Sequence, residues 1–562
     1  MIIYEKYTGR HRDEYVTLED LYRNYTVTCN EDFNFAYDVL DTLAEEKPDQ
    51  LAMLWVGKDG EEKYITFKDM QMWTNKTANY FKSLGIKKGD FVMIVVKRSY
   101  LFWYIMMALH KIGAVAVQAT NLLTPKDYIY RCQAADIKMA IITADGDSTE
   151  SFDLAHPECP TVTIKAVTKH KNAGDGWLDF EAGIEAASDQ WERPTGDQAT
   201  KSSDRMIVAF SSGTTGYPKM VSHDFTYPLG HIMSGVFWHR VEPGGLHLTI
   251  SDTGWLKSLW GKMYGQWLGE SAIFTYDFDV FQPKDILEKL EKYKINTFCV
   301  PPTMYRILLT QDVKSYDLTS LSHCCAAGEA LSPQVFNQWR EATGLRIFEG
   351  FGQSETTVCC SILYPWVQPK PGSMGLITPG YHMLLVDENG EEVEPGVTGE
   401  ICIRSDGPHN KTKGLFMGYY KDEATTKKSW HDGLYHTGDL AYRDELGFFW
   451  YIGRNDDIIK SSGYRIGPFE VESALAEHPA VLESAVTGVP DPIRGLNVKA
   501  TIVLCEGYVP SEDLVKELQN HVKRVTAPYK YPRVIEFVQE LPKTISGKIR
   551  RVEIRETDCN KQ

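Results

Sequence analysis

Short apolar segments alternate with longer segments of helical periodicity through the first two thirds of this chain. Residues 91–96 and 139–143 are apolar runs, and residues 67–84 and 127–134 have the pattern of helices that precede them. A helical segment at 286–293 and an apolar run at 297–300 repeat this order. Continuous apolar runs separated by helices are typical of buried parallel strands. The sequence therefore predicts a multi-domain α/β fold built of layered α/β subdomains.

The pattern changes after Pro371. Residues 383–386 and 399–404 flank an Asp-Glu-Asn-Gly turn, which predicts antiparallel strands of a small β-barrel. A chain of 562 residues is too long for one hydrophobic core. The polar run Asn455–Asp457 predicts a hinge, because a compact α+β pattern follows it, with helices at 469–478 and 511–525 and strands at 481–489 and 501–504. We therefore predict an N-terminal domain over 1–454, a hinge at 455–457 and a small mobile C-terminal domain over 458–562.

Charge and cysteine content exclude several classes. The formal charge of −16 argues against nucleic-acid binding, which favours basic surfaces. The 11 cysteines include the adjacent pairs 324–325 and 359–360 but no C-x-x-C, which indicates reduced thiols and neither a zinc motif nor a disulfide scaffold. The apolar stretch 100–119 is interrupted by His110, Lys111 and Gly113, so it predicts a helix, a turn and a strand and no membrane span. A charged N-terminus without a signal peptide predicts a cytoplasmic protein.

A loop rich in glycine and hydroxyl groups follows a predicted strand at 206–210. Residues 211–219 read Ser-Ser-Gly-Thr-Thr-Gly-Tyr-Pro-Lys. Backbone N–H groups, hydroxyls and one ammonium group are what a chain of phosphates requires. The order of residues is not that of a Walker A loop, which excludes a P-loop NTPase. A polar surface loop without a ligand is the alternative.

Three further motifs narrow the interpretation. They are Gly-Phe-Gly-Gln-Ser-Glu-Thr at 350–356, Tyr-His-Thr-Gly-Asp at 435–439 with Gly-Arg-Asn-Asp-Asp at 453–457, and Pro-Lys-Thr-Ile-Ser-Gly-Lys at 542–548. With the loop at 211–219, in this order and spacing, they resemble the signature set of the AMP-forming acyl-CoA synthetases of the adenylate-forming superfamily. The resemblance covers about residues 35–555 and is strongest to the medium-chain branch, including its prokaryotic members for small branched acids.

The resemblance implies a nucleotide site that takes ATP with Mg²⁺. Glu355 matches the Mg²⁺ ligand, and a hard cation with most of its waters retained needs few carboxylates. Asp439 and Arg454 match the residues at the ribose hydroxyls, Gly328–Ala330 and Phe351 the adenine pocket, and Thr356 the α-phosphate. The full set of implied ATP-binding residues is Ser211, Ser212, Gly213, Thr214, Thr215, Gly216, Lys219, Gly328, Glu329, Ala330, Phe351, Gly352, Gln353, Ser354, Thr356, Asp439, Arg454, Arg465 and Lys548.

The catalytic residues implied by the resemblance are Lys548, Glu355 and Thr214. Lys548 matches the lysine that bridges the acyl carboxylate and the α-phosphate; composition alone would make it a surface lysine. Plainer roles also fit the sequence at three more places: Lys219 as a solvated lysine, Glu355 as a helix cap, and Asp439 with Arg454 as an ion pair that serves stability alone.

The resemblance further implies two half-reactions that use two faces of the small domain. That domain rotates about the residue matching Asp456, and the second face then accepts coenzyme A. Gly463 suits the passage of the pantetheine arm, since a side chain there would block it. The candidate coenzyme A residues are Ser462, Gly463, Tyr464, Lys523, Arg524 and Lys530.

The acid is less constrained by the motifs. Acetate-specific relatives place a tryptophan at the position of Gly352, so the pocket is expected to extend beyond a two-carbon acid. The bulky residues of the segment 252–260 argue against a long acyl chain. Lys257 points either to solvent or inward, and in the inward orientation it would also disfavour a long acyl chain. The candidate acyl-pocket residues are Trp238, Thr253, Gly254, Trp255, Lys257, Trp260, Cys299, Gly328 and Gly352. We expect a small to medium acid of about four to eight carbons, branched acids included.

Two other functions fit parts of the sequence. One is an adenylating enzyme that loads a carrier protein, although no carrier domain is fused to this chain. The other is a non-catalytic sensor of nucleotides or acyl groups, which the presence of Glu355, Asp439, Arg454 and Lys548 disfavours. The expected partners are the acid, ATP and coenzyme A, without nucleic acid or membrane, and the expected state is a monomer or homodimer.

Overall fold

A computed structural model describes residues 1–169, 176–211, 218–405, 412–462, 464–543 and 549–560, apart from the side chains of residues 465, 559 and 560. Its strands in chain order are β1 Leu51–Val56, β2 Glu62–Thr66, β3 Phe91–Val95, β4 Val115–Gln118, β5 Met139–Thr143, β6 Ile164–Thr168, β7 Leu178–Asp179, β8 Arg205–Ser211, β9 Lys219–Asp224, β10 Leu246–Thr249, β11 Ala272–Tyr276, β12 Thr297–Val300, β13 His323–Ala326, β14 Ile347–Phe351, β15 Cys360–Ser361, β16 Leu376–Ile377, β17 Met383–Val386, β18 Gly399–Arg404, β19 Trp430–His431, β20 Leu434–Arg443, β21 Phe449–Arg454, β22 Ile459–Ser461, β23 Tyr464–Ile466, β24 Val481–Asp491, β25 Gly495–Leu504 and β26 Val534–Val538.

Helices lie between most of these strands. The α-helices are α1 Glu5–Thr8, α2 Leu18–Asn24, α3 Thr42–Glu46, α4 Phe67–Ser83, α5 Leu101–Ile112, α6 Pro125–Ala135, α7 Ser148–Ala155, α8 Phe180–Ala186, α9 Tyr227–His231, α10 Lys257–Gly261, α11 Tyr264–Leu268, α12 Pro283–Lys292, α13 Pro302–Leu308, α14 Pro333–Thr343, α15 Glu423–Ser429, α16 Pro468–Ala476, α17 Glu512–Val525 and α18 Arg551–Asn560. Two π-helical segments, Ala36–Asp41 and Ile232–Trp238, and several short 3₁₀ turns, including Asn455–Asp457, complete them.

Two mainly parallel sheets form the large N-terminal part. One has nine strands in the order β16-β15-β14-β13-β12-β10-β11-β1-β2, and the other has seven in the order β7-β6-β5-β3-β4-β8-β9. Antiparallel pairs occur at the sheet edges, for example between β8 and β9 and between β14 and β15. The layered α/β fold predicted from the alternating segments is confirmed.

Local sequence explains where the helices begin and end. Thr66 and Asp69 form a capping box at the start of α4. The helix α5 stops at Gly113, which has a left-handed φ of 79°, and β4 follows at once. The segment 100–119 is therefore a helix, a turn and a buried strand, as predicted. Among the residues described here, no helix is both long and apolar enough to cross a membrane.

The region after Pro371 contains the predicted antiparallel strands. They form a five-stranded sheet in the order β17-β18-β20-β19, with β21 paired to β20. In the described part of the chain no ladder joins β17 to β19 or β21, so the predicted barrel is an open sheet here. Its inner face is covered by its own apolar residues and by Val221, Cys359 and Cys360 from the neighbouring elements, which removes the need for closure.

A separate small sheet lies at the C-terminal end. Its order is β23-β22-β25-β24, and β26 pairs in parallel with β25. α16 and α17 supply the other side of its core, through Val471, Leu475 and Leu518 among others. Asp457 binds Arg555 of α18 at 2.6 Å, so the segment predicted as the hinge is tied to the last helix.

A contact between glycines positions the helices beneath the nine-stranded sheet. A Cβ on Gly235, in the π-helical segment Ile232–Trp238, would collide with the backbone of Gly265 in α11. A Cβ on Gly265 would in turn lie 2.7 Å from Cα of Gly235. The two backbones touch because neither residue has a side chain, and this contact fixes the segment that ends in Trp238.

Substitution Gly235→Ala should therefore destabilise the N-terminal part by about 2 kcal/mol or more, because two backbone segments must separate. Gly269→Ala is the matched control, since its Cβ would meet mainly a methyl group of Val241, which can rotate away. Thermal unfolding of both variants checks this order of stability. Equal melting temperatures would contradict it.

Candidate functional site

The ends of the Gly/Ser/Thr loop lie side by side. Ser211 at the end of β8 is opposite Lys219 at the start of β9. The predicted phosphate-binding residues Ser212, Gly213, Thr214, Thr215 and Gly216 lie outside the described residues. The two strands bring both ends of the loop to one edge of the seven-stranded sheet.

The ring of Tyr419 connects Lys219 to Glu355, the predicted metal ligand. Nζ of Lys219 lies 5.0 Å from the centre of the Tyr419 ring, and Oη of Tyr419 donates a hydrogen bond of 2.9 Å to Oε1 of Glu355. Burial raises the pKa of Glu355, while the Tyr419 hydrogen bond and the charges of Lys219 and Arg454 oppose this. The Glu355 carboxylate is thus held in a desolvated position near the charges of Lys219 and Arg454.

Gln353 connects this loop to the predicted ribose site. Its Nε2 donates to the backbone oxygen of Thr437 at 2.9 Å and to Oδ2 of Asp439. Its Oε1 accepts from Oη of Tyr435 at 2.8 Å. The motif at 350–356 and the motif at 435–439, which are distant in sequence, are therefore one hydrogen-bonded unit.

Arg454 lies between two carboxylates. β20 and β21 place it opposite Asp439, with Nη1 at 3.6 Å from Oδ2 of Asp439 and Nε at 3.5 Å from Oδ1 of Asp456. Burial opposes the charge, but both carboxylates outweigh it and raise the pKa of Arg454. Oδ1 of Asp439 accepts a hydrogen bond of 3.0 Å from Tyr451. The predicted ribose pair and the predicted hinge residue are thus joined through one guanidinium group.

The predicted adenine segments follow neighbouring strands. Gly328–Ala330 comes after β13, and Phe351 ends β14, which pairs in parallel with β13. Gly328 has a φ of 100°, which suits only glycine. Glu329 accepts hydrogen bonds from the backbone N–H and, at 2.6 Å, from the hydroxyl of Thr303. Phe351 and Tyr451 have ring centres 6.2 Å apart, so an aromatic surface borders the ribose side.

Two tryptophans lie beside two glycines, Gly350 in β14 and Gly352 directly after that strand. A Cβ on Gly350 would lie 2.6 Å from Cε2 of Trp238, and a Cβ on Gly352 would collide with Cη2 of Trp260. A Cβ on Gly352 would also lie 2.3 Å from the backbone oxygen of Thr357, so backbone and the Trp260 ring of α10 fill the space beside this glycine. The acyl pocket expected at Gly352 stays a prediction.

Lys257 points inward, which resolves the alternative left by the sequence. Its Nζ donates a hydrogen bond of 2.6 Å to the backbone oxygen of Ala327 and lies 3.6 Å from the position of a Cβ on Gly328. Burial raises the pKa of the Cys299 thiol, and the charge of Lys257 opposes this. Lys257, Cys299 and Gly328 are thus close together.

Other predicted acyl-pocket residues make structural contacts. Thr253 donates to the backbone oxygen of Val96 at 2.7 Å, and a Cβ on Gly254 would collide with the backbone of Thr120. Both therefore bind the loop before α10 to the ends of β3 and β4. Trp255 accepts a hydrogen bond from Ser258 through its backbone oxygen.

The structure describes only some of the predicted coenzyme A residues. Oγ of Ser462 accepts a hydrogen bond of 3.0 Å from Arg494, and Tyr464 stacks on Tyr529 with ring centres 4.1 Å apart. Gly463, the Arg465 side chain and Lys548 lie outside the described residues.

The three predicted cations of the basic cluster have different surroundings. Lys530 is paired with Glu470 at 2.7 Å, which neutralises much of its charge. Lys523 lies 4.0 Å above the ring of Tyr531, and Arg524 is exposed. The predicted basic cluster therefore consists of one exposed arginine and two lysines that already contact other side chains.

Sequence reasoning missed several residues of this site. Tyr419, Tyr435 and Tyr451 donate hydrogen bonds to Glu355, Gln353 and Asp439 respectively. Tyr435 is the first residue of the motif at 435–439, to which no role was assigned, and Tyr451 lies on the strand β21 that pairs with β20. These two residues therefore had a local signal in the sequence. Tyr419 and Arg494 had none, because only tertiary contacts bring them to the site.

The layered α/β sheets, the antiparallel sheet, the small C-terminal domain and the clustered motifs define an adenylate-forming enzyme. Residues 40–420 match the AMP-binding enzyme family, and residues 470–548 match the AMP-binding enzyme C-terminal domain. The chain belongs to this AMP-binding enzyme family. The resemblance predicted from the motifs is confirmed.

Named relatives and solved structures agree with this family. Human acyl-coenzyme A synthetase ACSM3, mitochondrial, is 40% identical over 549 residues, which are 96% of this chain and 92% of the relative. Human acyl-coenzyme A synthetase ACSM5, mitochondrial, is 41% identical over 94% of this chain and 91% of the relative. The anthranilate CoA ligase AuaEII in complex with anthranoyl-AMP has a TM-score of 0.86 at 28% identity, over 95% of this chain and 98% of that one. A benzoate CoA ligase from Burkholderia xenovorans LB400 has a TM-score of 0.79 at 25% identity, over 93% and 100%.

The raised pKa of Glu355 predicts a pH-dependent effect of Glu355→Gln. Ionising this residue in the folded protein costs stability at neutral pH, and the cost disappears as the pH falls through the raised pKa towards the ordinary value of about 4.3. The variant should be at least as stable as the parent at pH 7, and the difference should shrink in acid. Melting temperatures across pH measure it.

Asp387→Asn provides the opposite control, because backbone N–H groups lower the pKa of Asp387. This variant should lose stability at neutral pH relative to the parent and lose less in acid. A Glu355→Gln variant that is destabilised more as the pH rises would contradict the assignment of Glu355 as a desolvated carboxylate.

Proposed function

We propose that this protein is an acid–coenzyme A ligase that forms an acyl-adenylate and pyrophosphate from a carboxylic acid and ATP, and then transfers the acyl group to coenzyme A with release of AMP. The observation that carries this proposal is the hydrogen-bonded unit of Gln353, Asp439 and Arg454 beside Glu355, in a chain of the AMP-binding enzyme family. An acceptor carboxylate that is held by neighbouring donors suits a ribose diol.

In the first half-reaction two anions must meet, so neutralising and positioning their charges dominates catalysis. Lys219 and the loop 211–219 would hold the β- and γ-phosphates. Glu355 would hold Mg²⁺, since Tyr419 takes one carboxylate oxygen and a cation that keeps most of its water needs few protein ligands. Bound there, Mg²⁺ supplies charge neutralisation at the phosphates. Thr214 and Thr356 would contact the phosphate chain, and Gly328–Ala330 with Phe351 would enclose the base.

Lys548 would bridge the acyl carboxylate and the α-phosphate in this first step. A cation 4 Å from developing charge contributes roughly 4 kcal/mol at an effective dielectric constant near 20. The thiol of coenzyme A attacks the same carbonyl carbon in the second step, so Lys548 has to leave. We propose that the domain at 458–562 rotates about the hinge 455–457 relative to the domain at 1–454, with Asp456 as the pivot.

After that rotation the face around Ser462, Gly463, Tyr464 and Arg465 would receive coenzyme A. Its nucleotide would meet Arg524 and Lys523, together with Arg494, which already contacts Ser462. Lys530 contributes less, because Glu470 pairs with it.

The acid is proposed to be small to medium, of about four to eight carbons, because Trp260 and Trp238 bound the space beside Gly352 and Gly350. The inward ammonium of Lys257 disfavours a long hydrocarbon tail, which would have to desolvate it. We also propose that the protein is cytoplasmic and is a monomer or homodimer. The names of the human relatives place those proteins in mitochondria.

A carrier protein as acyl acceptor is the second candidate function, because the cations of the coenzyme A face are not one continuous patch. The two functions differ in the acceptor alone, so acyl transfer to each acceptor discriminates between them. A sensor without catalysis would bind nucleotide or acid and release no pyrophosphate.

Pyrophosphate release tests the function directly. Acids from acetate to decanoate, with 2-methylbutyrate and benzoate, are compared with and without coenzyme A. Turnover that peaks at four to eight carbons and requires coenzyme A is the expected result. Lys548→Ala should lower the first step by about 10²–10³-fold, whereas Lys543→Ala, which removes an ion pair with Glu483, should not. Release that ignores coenzyme A would favour a carrier protein, and none would favour a sensor.

Trp260→Ala tests the boundary of the acyl pocket. Removing the ring vacates the space beside Gly352, so the preferred acid should lengthen by a few carbons, with each added methylene worth about 0.8 kcal/mol of burial. The ratios of kcat/KM along the acid series measure this. Trp339→Ala should change stability without changing the preferred length, because Trp339 is buried in a separate apolar cluster with Phe298 and Tyr305 that does not include Trp260. An unchanged preference in Trp260→Ala would contradict the boundary.

A further inference from the structure

Three residues of different chemistry meet on the antiparallel sheet, outside the residues assigned above. Cys402 on β18 is paired across the strands with His436 on β20, and Glu400 precedes Cys402 by two positions on the same strand. One thiol sulfur, one imidazole nitrogen and one carboxylate oxygen lie within 4.8 Å of one another. Cys402 is buried, and the side chains of His436 and Glu400 are 14% and 21% exposed.

The hydrogen bonds within this cluster cannot all form well at once. Nδ1 of His436 lies 3.3 Å from Sγ of Cys402 and 3.2 Å from Oε2 of Glu400. If Nδ1 carries a proton, it donates to the carboxylate and leaves the thiol unpaired; if it carries a lone pair, it accepts from the thiol and faces the carboxylate unfavourably. Nε2 of the same ring is buried and has no partner among the described residues. A cation would instead accept a lone pair from each of the three groups.

We propose that Glu400, Cys402 and His436 bind a divalent transition ion of the Zn²⁺ class. Thiolate, imidazole and carboxylate are the three ligand types of Zn²⁺, and bonds of about 2.0–2.3 Å place neighbouring tetrahedral ligands roughly 3.3–3.8 Å apart. The two distances at Nδ1 are already close to this spacing. On binding, the Cys402 thiol releases its proton to water, the ion forms bonds to sulfur, nitrogen and oxygen, and water completes the coordination.

The surrounding contacts favour a fixed site. The ring of His431 stacks on that of His436 with centres 4.0 Å apart, which limits rotation of the ligand ring. Oε1 of Glu400 accepts a hydrogen bond of 2.9 Å from the N–H of Gly438, so a neighbouring group orients the carboxylate while Oε2 faces the cluster. Second contacts of this kind orient metal ligands and strengthen binding.

The site lies behind the turn that presents Asp439. Between the pairs Glu400↔Leu440 and Cys402↔His436 the ladder shifts register, so Thr437, Gly438 and Asp439 bulge against the single residue Ile401. Thr437 donates to the backbone oxygen of Ile401 at 2.7 Å, and Glu400 holds Gly438. An ion bound to Glu400 would therefore stiffen the bulge that carries the carboxylate. The ion is a clamp on this turn and takes no part in the reaction.

Cobalt is the probe for the experiment, because a Co²⁺–thiolate bond gives a charge-transfer absorption band in the near ultraviolet. The full-length protein, freed of metals by a chelator and without ATP or Mg²⁺, is titrated with Co²⁺. The expected result is a band that saturates at one ion per chain and disappears when Zn²⁺ is added. Zn²⁺ should also raise the melting temperature, since it binds the folded state.

Variants identify the ligands. Cys402→Ser should abolish the band and the rise in melting temperature, whereas Cys505→Ser, which removes a more accessible thiol, should keep both. His436→Asn should weaken Co²⁺ binding at least tenfold and provides a second test if Cys402→Ser does not fold. Glu355→Gln should leave the band unchanged, which separates this site from the proposed Mg²⁺ site.

Three results would overturn the proposal: no charge-transfer band at millimolar Co²⁺, a band that persists in Cys402→Ser, or equal Co²⁺ affinity in the parent and His436→Asn. None of these outcomes depends on whether the protein is an acid–coenzyme A ligase, because absorbance and melting temperature are measured without substrates.

Discussion

The contact between Gln353 and Asp439 joins the two parts of the molecule on which the candidate site depends. Gln353 follows the last strand of the parallel core of the nine-stranded sheet, and Asp439 lies on the antiparallel sheet. The same amide donates to Thr437, which Arg454 also contacts at 2.9 Å. The side chain of Gln353 thus fixes the position of the segment 353–356 relative to the turn at 437–439. The proposed nucleotide site therefore lies at the junction between the two sheets.

Desolvation sets the charges at this junction. Burial raises the pKa of Glu355, but the pKa of Arg454 is raised in spite of burial because two carboxylates face it. A desolvated carboxylate is costly to ionise, and a cation that binds it recovers part of that cost. Among the described residues, Asp439 has an ion-pair partner in Arg454, whereas Glu355 has a hydrogen bond from Tyr419 and no ion pair. This difference agrees with the roles proposed for a metal-bound phosphate chain and a neutral ribose.

Much of the fold followed from local patterns. The strands at 139–143, 297–300, 383–386 and 399–404 agree with their predicted bounds. The first two are apolar runs that follow helical segments, and the last two flank an Asp-Glu-Asn-Gly turn. The predicted barrel is an open sheet, because closure of a sheet depends on which residues cover its inner face, and only the tertiary structure determines that.

The candidate nucleotide residues were predicted from motifs, which specify residue type and spacing together. The sequence could not show that Thr253 and Gly254 contact backbone. A buried loop residue that contacts backbone is of the same residue types as one that contacts a ligand. The cluster of Glu400, Cys402 and His436 was invisible for a related reason: the bulge on β20 alone brings Cys402 and His436 opposite each other.

The position of Trp260 has a consequence for how such an enzyme changes its substrate over evolutionary time. In the proposed function, α10 supplies the wall of the acyl space through Trp260, whereas the neighbouring strand β14 leads directly into the proposed nucleotide-binding segment 353–356. On that proposal, a lineage would exchange one ring on a short helix to handle a different acid, while the proposed nucleotide residues stay in place. Acid preference and adenylation chemistry would then be inherited on separate segments of the chain.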